Sequence, residues 1–292
     1  MQSLSGILVF LFVLHTFGSD RLAQTANSEV FVFDVKQEGE DLSFSNPLNV
    51  SNSPGYDNQP AFSVDSDAVL FTSIRGSANS DIYEYRFKDK SLVQITSSAD
   101  GEYTARAKGP GLITFVREGA GQEMTVWSYD RNTKKETRTL SNREPVAYYD
   151  WNTGGGALVW IRYAFMARYV DPAKDINWFV SDAVQPSSPQ IIPGSNKFSF
   201  VYRRPDGSLW IKEFDPQTKA VRPIVEVKDG KIDYCWWGRK IVMGSGAKLW
   251  AFDEASNKEW RMVADLGGAG ISEITRLAAS PKLKRLAVVS SK

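Results

Sequence analysis

The chain has 292 residues, 42% hydrophobic and 24% charged, and its 35 basic residues nearly cancel 34 acidic ones. That even balance excludes a basic footprint for nucleic acid or anionic lipid and suits an ordinary globular protein. Its single histidine and single cysteine, His15 and Cys235, exclude an intramolecular disulfide and leave little for histidine-based catalysis.

The first element is an apolar run from Ile7 to Phe17, followed by Gly18 and Ser19. It has the length of a signal-peptide core and is too short to span a bilayer. Residues 1–26 are therefore read as a cleaved export signal, with Gly18, Ala23 and Ala26 as rival cleavage positions and a buried strand as the competing reading. Cleavage removes His15, and with it any Ser-His-Asp triad, Cys-His dyad or His-ligated metal. Residues 27–292 are expected to form one domain.

Two strands follow, EVFVFD (29–34) and LSFSNPLNVS (42–51). The stretch Asn58 to Thr96 then contains four strand-like runs separated by turn residues, and degraded copies recur to the C-terminus. An aromatic opens the third run of each copy: Phe31, Tyr83, Trp127, Tyr169, Trp210 and Trp250. After the first step these anchors stand 40–44 residues apart. A period in the low forties with four strands per unit predicts an all-β protein built as a β-propeller of four-stranded antiparallel blades.

Let the strands of a blade be a to d from the axis outward. The b strands are near-continuously apolar, as strands covered on both faces should be: 68–75, 112–119, 157–164, 197–204, 239–246 and 285–292. The c strands are aromatic, and several end in Asp34, Asp130, Asp171, Asp215 or Asp253, read as turn formers at the hairpin into strand d. Blade three is the least regular, with its b-to-c connection placed near Tyr163 and Ala164. Cys235 falls in an apolar a strand and reads as a small buried hydrophobe.

Five complete a-b-c-d sets run from about Gln59 to Leu266. A c and a d strand remain before them, an a and a b strand after them. Open sheet edges invite aggregation, so these halves are expected to pair. The prediction is a six-bladed ring closed by N-terminal and C-terminal strands in one shared blade.

The best repeat resembles the TolB-type, WD-like propeller repeat. The resemblance rests on Asn58-Gln59-Pro60-Ala61-Phe62-Ser63, Phe71-Thr72-Ser73-Ile74-Arg75-Gly76, Asp81-Ile82-Tyr83 and Ile95-Thr96, in order and at the right separations. Asp65-Ser66-Asp67 stands where Asp-Gly is usual, and later copies keep only spacing and the aromatic third strand. TolB carries an α/β domain ahead of its ring, for which residues 19–28 have no counterpart, so its envelope role is not carried over. The resemblance implies a free-standing exported binding protein, periplasmic or at the cell surface of a bacterium.

By analogy with propellers, ligands are expected at the face formed by the d-to-a and b-to-c loops, with strand a side chains lining the channel. The candidates are Asp57, Asn58, Glu102, Tyr103, Arg106, Glu144, Tyr148, Asp150, Trp151, Gln190, Lys231, Asp233, Trp236, Glu273 and Arg276. Tyr148, Trp151 and Trp236 are aromatics that stack on a sugar or anchor a peptide; Arg106 and Arg276 pair with carboxylates. The blander reading is that these groups satisfy one another and channel water. The expected function is non-catalytic recognition of a protein or envelope glycan by a monomer, without cofactor or metal. The alternative is a carbohydrate-active hydrolase using two acids from Glu102, Glu144, Asp150, Asp233 and Glu273. A Ca²⁺ site at Asp65 and Asp67 is weighed against an Asp-rich turn, which is preferred.

Overall fold

The computed structural model describes residues 27–76, 79–140 and 144–291. The expected export signal and His15 lie outside the described residues.

Alternation acts as anticipated, and among the described residues 24 strands assemble into six four-stranded antiparallel sheets. Blade one comprises Asp57–Phe62, Ala68–Ser73, Asp81–Arg86 and Ser91–Gln94. Its b strand is buried along its whole length, since both faces of a middle strand are covered by neighbouring blades. Blades two to five follow with inner strands at Gly101–Gly109, Val146–Trp151, Gln190–Ile191 and Tyr234–Trp237. Blade six is composite. Its inner pair is Glu273–Ala279 and Arg285–Ser291, and its outer pair is Ser28–Glu38 and Asp41–Asn49. The seam is an antiparallel ladder with Phe31 opposite Val288 and Phe33 opposite Leu286.

The irregular third blade is regular in three dimensions. Ala157–Ile161 and Met166–Asp171 are joined by a tight turn centred on Tyr163 and Ala164. The turn-forming aspartates divide. Asp130 and Asp215 each accept two backbone N–H groups of their turns, and Asp253 accepts that of Ala255 at 3.0 Å. Asp171 instead pairs with Lys174 at 2.8 Å. Asp34 corrects the expectation outright. Its strand runs on to Glu38, so it sits mid-ladder opposite Ser45 and binds Asn46 and Arg285.

The apolar core is divided among the blade interfaces. Leu70 and Ile82 of blade one meet Ala105, Ile113 and Phe115 of blade two. Val30 and Val32 of the composite blade meet Val69 and Phe71 of blade one. Gly244 lets blades five and six close up, because a Cβ there would collide with Ile274. Leu286 is fully buried in the seam, so Leu286→Ala is expected to cost about 2–5 kcal/mol in urea unfolding. Deleting residues 285–290 should abolish the single cooperative transition, because the ring then has two open edges. An unchanged transition in the deletion would show that the seam does not close the ring.

Candidate functional site

Six inner strands crowd around one axis, and their side chains meet across distances in sequence that no local pattern encodes. Two ion pairs lie in the channel. Arg106 Nε is 3.7 Å from Asp150 Oδ1, and Arg276 Nη1 donates to Asp233 Oδ2 at 3.0 Å. Arg276 also donates to the Tyr148 hydroxyl at 3.1 Å and lies over that ring. Burial pushes the Asp150 and Asp233 carboxyls up, opposed chiefly by Arg106 and Arg276 respectively. Burial likewise raises the Tyr56 phenol, which feels the charge of Arg276 and the phenols of Tyr148 and Tyr103. Tyr56 immediately precedes the inner strand of blade one and was missed in sequence; the only signal was an aromatic directly ahead of Asp57.

The channel wall is stapled from blade to blade. Asp150 accepts the backbone N–H of Ile191 at 2.8 Å, and Asp233 that of Leu277 at 2.8 Å. Gln59 Oε1 does the same for Thr104 at 2.8 Å, and the Thr104 hydroxyl donates to the Ala147 carbonyl at 3.1 Å. Gln59 and Thr104 sit in bulges with φ of 55° and 52°. A left-handed threonine is unfavourable, and these two cross-blade bonds hold it there. Neither residue was among the candidates, because a bulge leaves no mark in the alternation.

The aromatic candidates separate. The Tyr148 hydroxyl meets Arg276 at the channel, while its ring is buried against Trp160. Trp151 does not reach the channel: it is buried between blades two and three, its Nε1 donates to Thr114, and Lys108 caps its ring at 3.3 Å. Tyr149 donates to the same Thr114 hydroxyl at 2.8 Å. This device recurs where Tyr234 and Trp236 both donate to Ser199, at 2.7 and 2.9 Å, although Trp236 keeps one side on the channel cavity.

The acids near the loop face are tied down. Lys231 pairs with Glu273 at 2.8 Å and Arg168 with Glu144 at 3.3 Å. Asp57 is buried against Arg75, which also holds the Ser51 carbonyl. Asn58 is buried, and its side chain accepts the Gln59 N–H. Glu102 has no exposed surface and receives Arg117 at 3.0 Å and the Ser98 hydroxyl. Asp65 accepts from Ser63 and the Asp67 N–H, as a turn residue does. Among the described residues no group of three or more acidic, His or Cys side chains is placed to hold a metal ion.

Glu102 has a neighbour that stands in the sequence only as part of the Asp81-Ile82-Tyr83 motif. Asp81, from the c strand of blade one, faces it across the blade interface, and Asp81 Oδ1 and Glu102 Oε2 are both buried without another hydrogen-bond partner. A proton shared between them satisfies both oxygens. Burial and then Glu102 push the Asp81 carboxyl up to about 7. An acid raised in the native state binds its proton more tightly when folded. Its contribution is therefore complete below the ordinary Asp range and is lost as pH rises through about 7. Asp81→Asn supplies a permanent donor. Relative to wild type, it should gain stability between pH 5 and pH 8, read as the difference between urea midpoints; a difference independent of pH would refute the shared proton.

Two cavities frame the axis. One of about 200 Å³ opens among the loops, between Lys231, Asp233, Glu273 and Arg276. The other, about 400 Å³, draws on all six blades and runs from Arg106, Asp150, Asp233 and Arg276 down to the a-to-b turns. Gln190 lines it too. Asp233 and Arg276 border both cavities, so their ion pair forms a shared wall.

No protein-family model matches the chain, and no curated protein matches it in sequence. Solved structures match its fold. A structure assigned as TolB from Agrobacterium tumefaciens aligns with a TM-score of 0.68 at 13% identity, covering 91% of this chain and 99% of that one. A chain of a nidogen/laminin complex gives 0.64 at 10% identity, covering 90% and 98%. An oligogalacturonate lyase in complex with manganese gives 0.57 at 10% identity, covering 92% and 98%. Geometry and comparison agree on architecture: the chain is a six-bladed β-propeller of TolB-like fold.

Proposed function

We infer that this protein is an exported binding protein that recognises a protein or envelope polymer at its loop face, around the channel mouth. One observation carries the reading. Arg276, Tyr148, Tyr56 and Tyr103 converge at the axis from blades six, three, one and two, and Arg276 shares the mouth cavity with the Lys231–Glu273 pair. Phenols and guanidinium groups of this kind are the usual anchors of protein and glycan recognition. The candidate acids are engaged by basic partners, which suits binding more than proton transfer. Export rests on the Ile7–Phe17 run. Among the described residues no helix is long and apolar enough to cross a membrane.

The likeness to a nidogen/laminin complex supports a propeller used for protein binding, and the likeness to a lyase supports an enzyme; both are likenesses of fold. The hydrolase reading draws on the raised carboxyls of Asp150 and Asp233. It predicts new reducing ends when polysaccharides are incubated with the protein, and turnover that Asp150→Asn abolishes; that result would displace the binding reading.

A photo-crosslinker placed at Glu273, on the loop face, should give a defined adduct in intact cells. The same group at Pro281, on the turn face, should not. The adduct should be lost on combining Tyr148→Ala with Lys231→Glu in a folded protein. Equal adducts from both faces would place recognition elsewhere.

A further inference from the structure

The second cavity lies on the other side of the Asp233–Arg276 pair from the loop mouth, and the loop-face reading makes no use of it. Its volume of about 400 Å³ falls within the range of small-molecule sites. Its lower wall is apolar: Pro60, Phe62, Pro193, Pro281 and Leu283, with the indole of Trp236 alongside. Its upper wall holds Arg106, Asp150, Asp233 and Arg276.

The hydrogen bonding of that upper wall is uneven. Both oxygens of Asp150 accept backbone N–H groups, from Trp151 at 2.9 Å and Ile191 at 2.8 Å. Asp233 is likewise filled by Leu277 and Arg276. Arg106 is different. Its Nη1 donates to the Ala105 carbonyl at 2.9 Å, and its Nε stands 3.7 Å from Asp150, an ion pair without a hydrogen bond. Among the described residues, Nε and Nη2 of Arg106 have no hydrogen-bond acceptor. These two nitrogens form the side-on edge of the guanidinium, whose parallel donors match the two oxygens of a carboxylate. The side chain is only 14% exposed, yet neither of these nitrogens is fully buried, so the unspent edge keeps surface toward the cavity that Arg106 lines.

We propose that this lower channel cavity binds a small organic carboxylate, its anionic head on the side-on edge of Arg106 and its apolar body against Phe62, Pro193 and Leu283. The neighbouring Asp150 and Asp233 select the charge of the ligand. They offset the two arginines, so a dianion such as phosphate meets repulsion that a monoanion with a single planar head largely avoids. The ligand enters from the a-to-b turn face, opposite the face assigned to macromolecular recognition, and the two sites are separable by mutation.

The test uses the full chain and sodium benzoate, with benzyl alcohol as the neutral isostere. Binding is followed by Trp emission, to which Trp236 in the cavity wall contributes, and by saturation-transfer NMR. Benzoate is expected to bind at least about tenfold more tightly than benzyl alcohol, the discrimination of one charge-assisted bidentate contact. Arg106→Gln should remove that preference while leaving benzyl alcohol unchanged. Arg106→Lys, which keeps the charge but not the fork, should restore it only in part. Lys231→Glu, on the loop face, should leave benzoate binding intact. Absence of benzoate binding, equal affinity for the alcohol, or an Arg106→Gln protein that still prefers benzoate would each overturn the proposal. None of these outcomes bears on the crosslinking test of the loop face.

Discussion

A four-stranded blade has two apolar faces and no means of covering either by itself. Only a neighbour on each side removes both from water, so every blade depends on the ring being closed. The seam between Ser28–Glu38 and Arg285–Ser291 provides that closure, with Val30, Val32, Val288 and Val289 buried on its two sides. The division of the core into interface clusters follows directly. What stabilises the protein lies between blades more than within them.

Closure also creates the site. Inner strands brought around one axis carry polar side chains into a confined channel, where each unpaired group is costly. The observed solution is a series of staples from one blade to the next: Gln59 to Thr104, Thr104 to Ala147, Asp150 to Ile191, Asp233 to Leu277. These bonds fix the wall and engage Asp150 and Asp233. Among the described residues, spare capacity remains at the edge of Arg106 in the channel and at the Asp81–Glu102 pair buried between two blades.

Much of the fold was legible because its determinants are local. Alternation in 81–86, the apolar b strands and the recurring aromatic anchors are properties of a few consecutive residues. Complementary half-blades at the two ends were legible by counting. The site was legible only in part. Arg276, Asp233, Arg106 and Asp150 were picked out as inner-strand charges, yet no pattern paired them. An inner-strand position points Trp151 to the mouth, but its place in the pleat turns it between blades toward Thr114. Asp34 has the sequence context of a turn residue because nothing in the sequence shows that its strand extends four residues further. Gln59 and Thr104 escaped notice because the bulges that give them their role interrupt the alternation.

The repeat period and strand alternation by themselves determined a ring of six blades, since a hydrogen-bonded hairpin ladder is specified by neighbours in sequence, and the blade that joins its ends followed from the count of strands left over at each terminus. Which side chains meet at the axis was decided only by the tertiary structure. Tyr148 and Arg276 are separated by most of three blades along the chain and are brought within 3.1 Å by closure alone. The physical reason is that contacts across the channel depend on the twist, bulges and spacing of all six inner strands together, and no single repeat contains that information.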